Sequence, residues 1–163
     1  MQKIFRPILL GTLVVGTLDL LDALIFFGFR GVKPGVILQS IASGLLGSAS
    51  YEGGVATALL GVVCHYVIAF LIVATFVAAS FRIPALTRRP VLIGVIYGLA
   101  VYFVMNLVVV PLSAANSNWP QALPVVVNGL LIHMIGVGIP SAFAGRRAAA
   151  FGITDGVGST QSS

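Results

Sequence analysis

GTLVVGTLDLLDALIFFGF, residues 11–29, is an apolar run long enough to cross a bilayer as a helix, and it carries two aspartates, Asp19 and Asp22, near its middle. The chain has only four acidic residues, so half of them sit where a carboxylate is least welcome. An ionisable side chain at the centre of a membrane helix costs about 2.5–3.5 kcal/mol on insertion scales, and one kept at that cost marks a functional site by default. At a spacing of three residues the two carboxylates share a helix face, which also carries Thr12, Gly16 and Phe26.

The rest of the composition agrees with this reading. Hydrophobic residues make up 58% and charged residues 8% of the chain, far from the roughly 25% charged residues of a soluble domain, so an all-α polytopic membrane protein is expected. The net charge of +5 does not point to nucleic acid, because the nine Lys and Arg are scattered at the ends of apolar runs and build no basic face interleaved with aromatics. A single cysteine, Cys64, excludes an internal disulfide and a multi-cysteine metal site, and reads as a small packing residue.

Working outward from residues 11–29, the first span is expected at about 8–29, uncleaved, behind a short start with Lys3 and Arg6. Residues 34–47, opened by Pro34 and alternating Val36, Ile37, Ile41 and Leu45 with Gln39, Ser40 and Ser43, are too short and polar to span, and suit one short interfacial or re-entrant helix. Further spans are expected at about 55–81, 91–112 and 125–144, ended by Arg82, Pro111 and the pair Arg146 and Arg147. Trp119, in the polar loop before the last span, suits a membrane interface. Residues 1–151 thus form one four-helix transmembrane domain, and the small polar stretch 152–163 reads as a disordered tail. Seven basic residues (Lys3, Arg6, Arg82, Arg88, Arg89, Arg146, Arg147) fall on one side of the membrane and two (Arg30, Lys33) on the other, which puts both termini in the cytoplasm.

At about 1.5 Å rise per residue, Asp19 lies roughly 16 Å from the inner face, and His65 and His133 reach a similar depth. Asp22 and Asn106 fall about one turn further out, with Asn128 slightly beyond. These six residues form the candidate site: a buried acid, histidine and asparagine cluster. Gly61 with His65 and Gly129 with His133 repeat the same four-residue spacing, the trace of a duplicated hairpin or ordinary small-residue packing, as Gly94 and Gly98 also suggest.

Several stretches resemble a family of small bacterial inner-membrane proteins with four spans and no assigned activity: Gly11-Thr12-Leu13 with Asp19, residues 39–47, Gly53-Gly54, Gly61 with His65, Tyr97-Gly98, Met105-Asn106, Pro111-Leu112-Ser113, and His133 with Gly138-Ile139-Pro140. The resemblance covers most of residues 11–140 and implies the four-span architecture and a bacterial inner membrane.

Three functions compete. The first is an accessory or structural membrane protein in which His65 or His133 donates a hydrogen bond to Asp19. The second is proton- or cation-coupled transport or permeation through the cluster; four helices are few for alternating access, so this reading calls for a homo-oligomer or a membrane partner besides the lipid bilayer. The third is a b-type haem protein with His65 and His133 as axial ligands and Gly61 and Gly129 making room for the macrocycle. Enzymatic catalysis is not expected: there is no nucleophile elbow, no metal-ligand spacing and no phosphate loop. Glu52, beside Gly53-Gly54, reads as a solvated loop charge, and Gln39 reaches the cluster only if residues 34–47 fold back into the membrane.

Overall fold

The computed structural model describes residues 2–115 and 121–158, and the side chains of 4–115 and 121–150. Helix α1 is Gln2–Gly28, α2 is Pro34–Leu46 and α3 is Gly54–Arg82. A fourth rod, α4, covers Pro90–Leu112, and the last, α5, covers 123–158. Short 3₁₀ turns at Gly47–Tyr51 and Pro84–Thr87 precede α3 and α4. Four of these helices, all but α2, are long and apolar enough to cross a membrane. Among the described residues there is no strand.

Two boundaries differ from expectation. α1 begins at Gln2 and carries Pro7 inside it; as the sixth helical residue the proline leaves only the carbonyl four residues back, in the first turn, without its usual donor. α5 runs on through Arg146 and Arg147 to Gly158, into the stretch read as a disordered tail; arginine is a good helix former, and Ala148, Ala149 and Ala150 extend the same preference. Trp119 and residues 159–163 lie outside the described residues.

Both late helices widen to a π-helical register, α4 at Met105–Val109 and α5 at His133–Gly138. Each π stretch stops two residues before a proline, Pro111 or Pro140. Proline has no N–H to donate and its ring crowds the carbonyl four residues back, so loosening the register just before it relieves both faults and lets α5 continue.

α5 is the central post, packed on α1, α3 and α4. Its crossing with α4 is the tightest: a Cβ on Gly94 would stand 2.6 Å from the Ile139 Cα, and one on Gly98 would overlap the His133 carbonyl. Val15, Val73, Val77, Val137, Ala144 and Ala148 form a core cluster, and Phe76 meets Tyr97 edge to face at 4.9 Å. α4 reaches α3 through Tyr97, whose hydroxyl donates to the Ile72 carbonyl at 2.7 Å. α1 meets α3 through Thr17 and Tyr66, their hydroxyl oxygens 2.9 Å apart.

α2 lies directly on α3, since a Cβ at Gly61 would overlap the Leu38 carbonyl. It stops at Gly47, whose φ of 59° and ψ of −145° suit a residue without Cβ. The buried Gln39 amide donates to the Gly54 carbonyl at 3.0 Å and the Thr57 hydroxyl at 3.3 Å, and the Ala114 N–H donates to the Gly44 carbonyl at 3.0 Å. Gln39 therefore fastens α2 to the start of α3 and takes no part in the acid and histidine cluster. Replacing Gln39 by Leu is expected to cost about 1 kcal/mol and to speed amide hydrogen exchange in α2 while leaving α1 and α5 protected, as hydrogen-exchange mass spectrometry would read.

Candidate functional site

Because α4 leans on α5 and meets α3 mainly at Tyr97, the other half of the α3 and α4 gap stays open. It holds a cavity of about 670 Å³, within the range of about 300–1,000 Å³ usual for small-molecule sites. α2 covers one end with Ser40, Ile41, Gly44 and Leu45. Cys64, Ile68 and Ile72 of α3 and Met105 and Val109 of α4 form the sides, and Val15, Asp19, His65, His133 and Val137 are also on the wall. Both π stretches contribute to it, in keeping with the tendency of such stretches to sit at functional sites. Val63 and Val67 line the cavity and are also 59% and 52% exposed, so the cleft opens on the flank of the bundle.

The structure thus brings Asp19, His65 and His133 to one cavity and sends the other candidates elsewhere. The structural reading expected His65 or His133 to donate to Asp19, and neither imidazole does. His65 Nε2 lies 2.8 Å from the Gly16 carbonyl, and His133 Nδ1 lies 2.9 Å from the Gly129 carbonyl. A carbonyl only accepts, so these nitrogens carry the protons, and neutral His65 keeps its lone pair on Nδ1, neutral His133 on Nε2. Backbone carbonyls win because they are fixed in place, His133 reaching its own helix and His65 reaching α1 where Gly16 leaves the backbone bare.

Asp22 is held apart by Asn128, whose amide donates to Oδ2 at 2.6 Å and joins α1 to α5. Asn106 turns back on its own helix, donating to the Tyr102 carbonyl at 2.9 Å. Glu52 is exposed. Tyr102 was not a candidate from sequence: its ring is 3% exposed, meets His133 edge to face at 5.4 Å and fills the space before Gly129. Its hydroxyl is buried without a hydrogen-bond partner among the described residues.

The two glycine and histidine pairs are alike in spacing only. Gly61 admits the backbone of α2 and Gly129 admits the Tyr102 ring, so neither leaves room for a macrocycle. His65 Nε2, the ring nitrogen with the longer reach, has its proton held by Gly16. These residues do not fit a haem. Among the described residues, no group of three or more His, Cys, Asp or Glu could hold a metal ion.

No protein-family profile, curated protein or solved structure matches the chain.

Proposed function

We propose that the chain is an integral protein of a bacterial inner membrane, both termini cytoplasmic, with no enzymatic activity, whose flank cleft takes up a small amphipathic molecule from the lipid. The observation that carries this reading is the cavity itself: apolar walls, an opening on the bundle's flank, and Asp19, His65 and His133 among its polar residues. Four helices of membrane-crossing length and the uneven distribution of basic residues support the location. In this reading α2 is a re-entrant cover over the outer end of the cleft. The accessory role belongs to the contacts between helices, where Asp22 with Asn128 and His65 with the Gly16 carbonyl hold helices in register.

Filling the cleft tests this reading. Val63→Trp places a large ring at the cavity's mouth from a position that is 59% exposed and carries little packing. Binding of a fluorescent fatty alcohol to purified protein in nanodiscs is expected to be saturable for the natural chain and weakened about tenfold or more in the variant, a loss of about 1.4 kcal/mol. Equal, non-saturable signals from both proteins and from empty nanodiscs would refute uptake.

A second reading, proton- or cation-coupled permeation, draws on one observation: the hydrogen bonds around Asp19 go elsewhere, leaving its carboxylate without a donor among the described residues. Flux into liposomes decides it. Transport above empty vesicles that is lost in Asp19→Asn and His65→Ala supports permeation, and equality with empty vesicles removes it.

A further inference from the structure

Among the described residues, every strong side-chain donor on the cavity wall is already engaged. The Ser40 hydroxyl donates to the Ile37 carbonyl at 2.7 Å and the Ser113 hydroxyl to the Val110 carbonyl at 2.7 Å. His65 spends its N–H on Gly16, and His133 spends its N–H on Gly129. Among the described residues the wall holds no lysine, arginine, asparagine or glutamine, and the Cys64 thiol is a weak donor. What the polar side chains of the wall have left to offer is therefore a set of acceptors: the Asp19 carboxylate, the lone pairs of the neutral imidazoles and two serine oxygens.

Such a site selects by complementarity. A phosphate, a carboxylate or a quinone carbonyl finds no strong side-chain donor there, and an anion also meets Asp19. A protonated amine supplies N–H donors and the positive charge that the wall lacks, and an alkyl or ring body fits the apolar walls. Resting on the uptake reading above, we infer that the cavity binds a lipophilic primary or secondary amine, its ammonium donating to Asp19 and to the imidazole lone pairs of His65 and His133.

The experiment compares dodecylamine, dodecanol, dodecyltrimethylammonium and dodecanoate, which share one chain and differ in head. Each is titrated calorimetrically into the protein in zwitterionic nanodiscs, with empty nanodiscs subtracted. The primary amine is expected to bind on the order of ten- to a hundredfold tighter than the alcohol, the gain typical of charge-assisted hydrogen bonds. The quaternary ammonium, which has no N–H, falls between them, and the carboxylate binds most weakly.

Asp19→Asn is expected to bring amine and alcohol within about twofold of each other, chiefly by weakening the amine, with a melting temperature near the natural chain's showing that the variant is folded. If Asp19→Asn does not fold, the ranking of the four heads on the natural chain decides alone. Equal affinity for amine and alcohol, or a carboxylate that binds as tightly as the amine, overturns the inference and leaves the cleft as a general amphiphile site. Absence of saturable binding by all four refutes the cleft reading itself.

Discussion

Gly98→Ala is expected to unfasten α4 from α5 and destabilise the bundle by about 3 kcal/mol or more, the upper range for overpacking, because the clashing atoms are backbone and cannot rotate away. A Cβ there would overlap the His133 carbonyl and stand 2.7 Å from the Met134 Cα. On the facing helix, a Cβ at Gly138 would overlap the Gly94 carbonyl, so neither rod can yield without moving the whole crossing. The same substitution at Gly28, where nothing lies within 4 Å, is expected to stay within about 0.5 kcal/mol of the natural chain. Thermal unfolding in mild detergent would measure both, and similar melting temperatures for the two variants would contradict the crossing. The damage at Gly98 reaches the cavity, because the crossing fixes the π stretch that presents His133 and Val137.

Asn128→Leu is expected to cost about 2 kcal/mol, the range for a hydrogen bond to a charged group. Polar pairs between membrane helices average only about 0.6 kcal/mol, so a value near 2 would set this pair apart from ordinary helix contacts. The reason is Asp22: without the Asn128 amide at 2.6 Å, its carboxylate stays half-buried and loses its donor. Replacing both residues by Leu removes the unanswered acceptor together with its partner, so the double variant is expected to be more stable than Asn128→Leu alone. A double-mutant cycle reads this as a coupling above about 1 kcal/mol. Additive losses would mean that Asn128 and Asp22 do not act as a pair.

The helices were legible because long apolar runs broken by Arg, Pro and Gly leave few alternatives, and Gln39 and Pro34 in residues 34–47 marked a helix of another kind. One end misled: Arg146 and Arg147 read as the stop of the last span, but α5 runs on through both. Nothing local in residues 105–109 or 133–138 distinguishes the π-helical register from a regular α-helix. Polar residues on one level were legible as well, since counting along four rods places Asp19, His65 and His133 without knowing how the rods are arranged. Which polar atoms meet was not legible. His65 reaches a carbonyl of α1 and Asn128 reaches Asp22 across 106 positions of sequence, through rotations about the helix axes that spacing does not fix. The cavity left no trace either, because Val63, Ile68 and Val109 are the same residue types whether they face lipid, core or a cleft.

Bromine scattering offers the most direct examination of the cleft. Crystals of the protein grown with an alkyl alcohol brominated at its far end are expected to show an anomalous peak between α3 and α4, within the walls formed by Ile68, Met105 and Val109, with the hydroxyl end towards Asp19. Side chains of α3 and α4 closed against each other over the same stretch, with bromine only on the outer surface of the bundle, would contradict the account.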